Sequence, residues 1–346
     1  MHHPLAQKLV GINKKHSTLF SSPDAQMARQ LYRRQHPTRI LLGECMDGRI
    51  NIALATETPL GIMKSFRNIA GNVDLGWPYF DTVFSEEIEY SVSQGVKTLM
   101  LITYHFSEGD EHRGCAGFGY NKQASLVYVF NFKAQIERVY GSSHQIVCPV
   151  VIGFETDKDE IILHGDDGTI VPLSQLGEGD ESAVRKIFKK MPQDIFNDFI
   201  PLVRGNLRHM TEIKRRKRPI TEVEHRECVL AVGRGFDWLY EPNLALIVGP
   251  YDPNLEVPIA KAAGIIRGNM EAGRISNDCF VLLCSSAYTS ESGTKLTRAK
   301  EKALYMSNLA QSIIKKHHPD LIKVMHSMTV VTNLDTREIK EVKAQS

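Results

Sequence analysis

Two cysteines and a histidine follow apolar runs in a pattern that suits a metal centre. Cys45 ends the apolar run that begins at Arg39, His105 ends a second run, and Cys115 comes ten residues after His105. Two thiolates and one imidazole are a donor set that zinc prefers. Three protein ligands leave a fourth position for water, as in catalytic zinc sites. The sequence therefore predicts a zinc centre formed by Cys45, His105 and Cys115.

A carboxylate and a guanidinium accompany the first cysteine. Asp47 and Arg49 alternate with Cys45, so the three side chains project to the same side where the segment is extended. A carboxylate beside a metal-bound water can accept its hydrogen bond, and a neighbouring arginine keeps that carboxylate ionised. We therefore expect Asp47 and Arg49 to be catalytic. The alternative, in which Asp47 is itself a fourth zinc ligand, stays open.

A second histidine competes for the metal. His112 precedes Cys115 by three positions, whereas His105 lies at the end of a predicted strand. A strand end holds a ligand rigidly, and His112 lies in a polar loop that follows Glu108 and Asp110. We therefore favour His105 and keep His112 as the alternative.

The elements that must position these residues alternate along the chain. An order of apolar strand runs and helical spacings is typical of an α/β sheet with a mostly parallel core. An Asp-Gly pair at 167–168, between two apolar runs, predicts a β-hairpin. In the first half the predicted strands are 39–44, 61–66, 96–104 and 145–154, and the predicted helices are 78–94 and 121–140.

The second half repeats this order. The order of residues 39–154 recurs as strand runs near 228–233 and 244–249, followed by a helix, a strand, a long helix and a last strand. We expect a duplicated α/β unit. At the corresponding strand ends the chain reads Val232–Trp238 and Cys284–Tyr288, without a cysteine-histidine-cysteine set. The sequence thus predicts one zinc per chain and a degenerate second half.

The same patterns predict the domain organisation. We expect four parts, namely an N-terminal helical arm at 1–36, a catalytic zinc-binding α/β domain with a hairpin excursion at 37–180, a helical linker at 181–220 and a degenerate repeat at 221–346.

Composition excludes several classes of protein. The 346 residues carry 42 Lys and Arg against 40 Asp and Glu, a formal charge of +2, which gives no reason to expect nucleic-acid binding. No apolar run approaches the roughly 20 residues of a membrane span. Six scattered cysteines do not resemble a disulfide framework. We expect a cytoplasmic protein without nucleic-acid or membrane partners.

Three ordered motifs resemble the β-class carbonic anhydrases. These are Cys45-x-Asp47-x-Arg49, Arg67-Asn-Ile-Ala-Gly-Asn-Val73, and Ile88–Val92 followed by an apolar strand that ends in histidine. The hairpin segment Gly153–Ile161 is similar to the carboxysome shell carbonic anhydrase branch. That branch is pseudo-duplicated, with one degenerate half, so the resemblance implies two β-carbonic-anhydrase-like units, each a mostly parallel sheet flanked by helices.

The resemblance implies reversible hydration of carbon dioxide to bicarbonate by a zinc-bound hydroxide, which the Asp47–Arg49 dyad orients. It also implies a substrate-binding role for Gln35 and a homodimer. One departure is Gly48, where the family has serine. Two alternatives remain, a zinc hydrolase of carbon disulfide or carbonyl sulfide and a non-catalytic zinc-containing scaffold.

Overall fold

A computed structural model describes residues 3–177, 179–239, 241–291 and 293–343. Of the helices in these residues, two begin after an asparagine whose side chain caps the first turn, and three begin at a proline, which suits a first helical turn. The helices are α1 (Pro4–Phe20), α2 (Pro23–Gln35), α3 (Ile52–Ala55), α4 (Pro78–Ser93), α5 (Lys122–Tyr140), α6 (Glu181–Ile187), α7 (Gln193–Arg216), α8 (Glu256–Glu271) and α9 (Lys295–His317).

Most of the strands coincide with apolar runs of the sequence and are buried on both faces. They are β1 (Arg39–Cys45), β2 (Met63–Asn68), β3 (Thr98–Phe106), β4 (Val147–Glu155), β5 (Glu160–His164), β6 (Ile170–Pro172), β7 (Val229–Gly233), β8 (Ala245–Val248), β9 (Phe280–Tyr288), β10 (Met325–Asn333) and β11 (Ile339–Glu341).

These strands form two sheets with matching cores. The first has the order β2-β1-β3-β4-β5-β6, and the second has the order β11-β10-β9-β7-β8. The four strands β2-β1-β3-β4 are parallel, as are β8-β7-β9-β10. In the first sheet α4 connects β2 to β3 and α5 connects β3 to β4. In the second sheet α8 connects β8 to β9 and α9 connects β9 to β10. The predicted α/β class and its two pseudo-repeated units are confirmed.

Antiparallel additions distinguish the two sheets. In the first, β5 and β6 form the hairpin excursion that the Asp-Gly turn predicts. In the second, β11 adds one antiparallel edge strand.

The chain divides into two compact units. The first unit comprises residues 28–45 and 49–224, and the second comprises residues 1–27, 46–48 and 225–346. The predicted limits at 36, 180 and 220 differ from this grouping, and as limits of independently folding domains they stay predictions.

Each unit has its own core. In the first unit the aromatic rings of Phe66, Phe80 and Phe84 pack against each other and are all fully buried. In the second unit Ala6 and Leu9 of α1 are fully buried against the second sheet. The N-terminal helix is thus part of the second core.

Within the described residues, no helix combines the length and the apolar character that crossing a bilayer requires.

Candidate metal centre

The first sheet brings two cysteines and a histidine together. Cys45 is the last residue of β1, His105 lies one residue before the end of β3, and Cys115 lies in the loop that follows. Their donor atoms all lie within 4.8 Å of one another. The residues are 5%, 2% and 4% exposed. Adjacent parallel strands place their carboxyl ends at one edge of a sheet, which explains why Cys45 and His105 meet.

This donor set fits zinc. One ion bound at about 2.3 Å from sulfur and about 2.0 Å from nitrogen keeps its donors close to one another, as these three are. The hydrogen bond with the Cys115 side chain, together with burial, raises the pKa of the Cys45 thiol. The neighbouring His105 has the opposite effect and lowers the pKa of this thiol. A bound cation would favour the thiolates, so metal binding and thiol deprotonation are coupled.

The alternative histidine lies elsewhere. The His112 side chain is 71% exposed, and its Nδ1 lies 3.3 Å from a carboxylate oxygen of Asp110. The structure therefore places His105, and not His112, with the two cysteines.

An aspartate at the β4–β5 turn holds the loop that leads to Cys115. One carboxylate oxygen of Asp157 accepts hydrogen bonds from the Ser107 hydroxyl and the Gly109 amide, each at 2.9 Å. The other oxygen accepts a hydrogen bond from Arg113 at 3.0 Å. The turn between β4 and β5 thus fixes the loop that leads to Cys115.

Arg67 holds the loop on the other side of Cys45. Its guanidinium donates to the carbonyl oxygens of Cys45 at 3.1 Å and Ile50 at 2.6 Å. It also forms a 3.0 Å ion pair with Glu44, which is 1% exposed. The arginine of the Arg67–Val73 motif therefore connects both ends of the Cys45–Ile50 loop.

The middle of that loop belongs to the second unit. The Met46 carbonyl accepts a hydrogen bond from the Ile247 amide at 2.8 Å, and the Gly48 carbonyl accepts one from the Asn243 amide at 2.8 Å. Residues 46–48 are thereby attached along β8.

Gly48 is required by this attachment. A Cβ at this position would lie 2.6 Å from the backbone oxygen of Ala245, closer than real contacts allow. This close approach gives a physical reason for glycine at the position where the β-class pattern has serine.

Asp47 lies beside a histidine that the sequence analysis missed. His225 Nε2 is 3.9 Å from Asp47 Oδ2, within ion-pair range but too long for a hydrogen bond. On the other side of the ring, Nδ1 lies 3.2 Å from both carboxylate oxygens of Glu227. A carboxylate only accepts, so Nδ1 carries the hydrogen of this bond. Asn269 donates to Glu227 at 3.3 Å.

These three acidic and imidazole groups are all buried, with Asp47 at 3%, His225 at 6% and Glu227 at 0% exposure. They form a second group of potential metal ligands. The imidazole lies between the two carboxylates, with one nitrogen facing each. This order suits an imidazole that Glu227 holds by a hydrogen bond and that faces Asp47 at ion-pair distance, better than it suits three ligands around one ion. A His-x-Glu pair just before β7 was the available sequence signal.

The remaining predicted residues lie as follows. Arg49 is 3% exposed and donates to the carbonyl oxygen of Val223 at 2.8 Å. Gln35 is exposed at the last position of α2. Its predicted role with substrate stays a prediction.

Comparison with known families decides the assignment of this region. Residues 42–175 match the Carboxysome Shell Carbonic Anhydrase, catalytic domain. No curated protein gives a match. The resemblance to the carboxysome-type carbonic anhydrases is confirmed, and so is the expectation that the protein is an enzyme, a carbonic anhydrase.

The carbonic anhydrase match includes every predicted metal and dyad residue, since Cys45, Asp47, Arg49, His105 and Cys115 all lie within residues 42–175. His225 and Glu227 lie beyond its end. Only their positions in the folded structure point to these two residues as part of the site.

Proposed function

We propose that this carbonic anhydrase catalyses the zinc-dependent, reversible hydration of carbon dioxide to bicarbonate. The observation that carries the proposal is the buried Cys45–His105–Cys115 cluster inside the matched catalytic domain. These three side chains would hold the ion. Bound zinc supplies a water of lowered pKa, and hence a nucleophile for carbon dioxide near neutral pH.

Asp47 has the orienting role in this proposal. It follows Cys45 by two positions, so the covalent chain keeps its carboxylate near the metal ligand. Its carboxylate accepts the hydrogen bond of the attacking group and directs a lone pair toward the carbon of the substrate. In this proposal Arg49 keeps Asp47 ionised, and His225 with Glu227 supports the carboxylate.

The donor set also predicts the pH range. Two thiolates offset the formal charge of the metal, so a bound water is less acidic than in a three-histidine site. We expect the hydration rate to rise toward alkaline pH.

The test is stopped-flow hydration of carbon dioxide from neutral to alkaline pH with reduced, zinc-loaded protein. Cys45→Ala should abolish turnover, whereas His112→Gln, at an exposed histidine, should keep it. Absence of turnover at every pH in a protein that retains zinc would refute the proposal. Carbonyl sulfide and carbon disulfide in the same assay test the alternative hydrolase.

A further inference from the structure

The second sheet has its own cavity at the carboxyl ends of its strands. The cavity has a volume of about 330 Å³ and lies next to the ends of β7 and β9. In the pseudo-repeat β7 corresponds to β1 and β9 to β3. The cavity therefore occupies the place in the second sheet that Cys45 and His105 occupy in the first. We call it the basic cavity.

Cationic side chains dominate its lining. Arg234 follows β7, and Lys295, Arg298 and Lys302 come from the first two turns of α9. The spacing of three and four positions places the α9 residues on one face of the helix. Among the described residues, no carboxylate lies within 4.0 Å of Arg298 or Lys302. The cavity therefore carries an excess of positive charge.

The nearby acidic residue does not neutralise this charge. Glu291 forms an ion pair with Lys340, which does not line the cavity. Its carboxylate also accepts a hydrogen bond from the Tyr288 hydroxyl at 3.5 Å.

The backbone fixes the first cation in place. Arg234 lies between two glycines with positive φ, Gly233 at +122° and Gly235 at +88°. A Cβ on Gly233 would lie 1.9 Å from the backbone oxygen of Ser285. The Arg234 amide donates to that same oxygen at 3.1 Å. The chain leaves β7 in a conformation that only glycine permits, and this holds Arg234 at the cavity.

The rest of the lining is apolar apart from Thr289, whose hydroxyl oxygen accepts a hydrogen bond from Lys295 at 3.5 Å. Ala287, Ala299 and Leu334 complete the wall, together with the buried ring of Tyr288. The volume is at the lower end of the range for small-molecule sites and exceeds the need of a single inorganic ion. A ligand whose anionic groups contact the cations and whose small organic part contacts the apolar side chains would fit this cavity.

We propose that the basic cavity binds a phosphate-bearing small molecule. Arginine and lysine together recognise phosphate oxygens through charge-assisted hydrogen bonds. The proposal is independent of carbon dioxide hydration, because it concerns the strand ends that have lost the zinc ligands.

Calorimetric titration of the full, zinc-loaded chain with inorganic pyrophosphate at 0.15 M salt tests the proposal. Pyrophosphate supplies the negative charge that four cations can accommodate. We expect saturable binding of one pyrophosphate per chain. The double variant Arg298→Gln/Lys302→Gln should weaken this binding by about tenfold or more, because each lost charge-assisted hydrogen bond weakens binding severalfold.

A matched control removes the same charge from the same helix. Lys300→Gln/Lys315→Gln changes two exposed lysines of α9 outside the cavity and should alter the affinity by less than about twofold. Arg298 and Lys302 are exposed as well, so both double variants should fold, and their unfolding temperatures verify this. Lys302→Glu, a single change, provides a second variant with an expected loss.

Several results would overturn the proposal. They are the absence of saturable binding, an equal loss in the two double variants, and binding of bicarbonate or sulfate as tight as that of pyrophosphate. Heat that persists unchanged in Arg298→Gln/Lys302→Gln would show that pyrophosphate acts on the zinc and not on the basic cavity.

Discussion

The Asp47 carboxylate is buried, and a buried carboxylate needs partners to stay ionised. The structure supplies one in His225, whose ring is itself fixed by Glu227. Glu227 in turn accepts a hydrogen bond from Asn269. Each of these residues thus limits the movement of the next. The last one is Asp47, whose carboxylate we propose to orient the nucleophile.

This arrangement predicts the effect of His225→Gln. Glutamine keeps polar atoms in the space but loses the ring that connects Glu227 to Asp47. We expect kcat for carbon dioxide hydration to fall by about 10- to 100-fold, the usual effect of removing a supporting group around a metal site. Zinc per chain should stay at the wild-type level. His112→Gln serves as the control, and an unchanged kcat in His225→Gln would contradict the role.

The proposed zinc site allows a direct comparison between two histidines. We expect His105→Ala to reduce the zinc content from about one per chain to near zero after dialysis, because two thiolates alone leave the ion incompletely coordinated. His112→Ala should retain the metal, since its side chain is exposed beside Asp110. Elemental analysis measures both. Zinc retained in His105→Ala and lost in His112→Ala would reverse the assignment.

The position of a single residue in the site could be predicted only where the neighbouring sequence indicated it. The proximity of Cys45 and His105 was predictable, because each ends an apolar strand run and the carboxyl ends of parallel strands lie at one edge of a sheet. His225 was not predictable, because its approach to Asp47 depends on residues 46–48 joining the second unit. The sequence shows Gly48 as a departure from the family pattern. The reason for glycine there, the close approach of the Ala245 backbone, is apparent only in the folded structure.

At the scale of elements, one turn of the first sheet supports the candidate metal centre. The turn between β4 and β5 carries Asp157, which anchors the loop from Ser107 to Arg113. The loop has little regular structure of its own, so its order depends on these contacts. The β5–β6 hairpin could be predicted from its Asp-Gly turn, but the contacts of the β4–β5 turn with the Cys115 loop could not.

This support can be tested with Asp157→Asn. The amide keeps the shape of the side chain but loses the charge that pairs with Arg113. We expect zinc affinity, measured by competition with a chelator, to fall by about tenfold. Asp167→Asn changes an exposed aspartate in the β5–β6 turn and should leave the affinity unchanged. Equal affinities in the two variants would show that the loop holds its ligand without Asp157.

The predicted helical linker also makes contacts at this scale. Residues 181–220, predicted as a helical linker, contain α6 and α7, which group with the first unit. The fully buried Asn206 of α7 donates to the carbonyl oxygens of Ala55 and Asp159. It also accepts a hydrogen bond from the Ile161 amide. Helical periodicity predicts the helix, whereas these long-range bonds have no local signal.

At the scale of the whole molecule, the order of elements predicted the duplication, and the identical strand order of the two parallel cores confirms it. The assignment of residues to units was not predictable. Residues 1–27 and 46–48 group with residues 225–346. Such grouping depends on contacts between distant parts of the chain, which no local pattern of apolar residues encodes.

The stability of the molecule in acid should depend on one buried histidine in the first sheet. His164 is 5% exposed, and its Nε2 lies 2.9 Å from the Tyr104 hydroxyl. Burial, with smaller effects from Lys122 and Lys133, lowers the pKa of His164 to about 4. In the unfolded chain the pKa returns to about 6.5. Between these two values the unfolded chain binds a proton that the folded chain does not.

The free energy of unfolding should therefore decrease as the pH falls from about 6.5 to about 4, by up to about 3 kcal/mol from this group. Below pH 4 both states are protonated, and the loss stops. Urea unfolding of the wild type and His164→Gln at several pH values separates this contribution from that of the carboxylates. The variant should lose less stability between pH 7 and pH 4.5 than the wild type, whereas His112→Gln, at an exposed histidine, should follow the wild type. Parallel curves for His164→Gln and wild type would mean that His164 accepts its proton in the folded state, and that the pair with Tyr104 opens to water before the molecule unfolds.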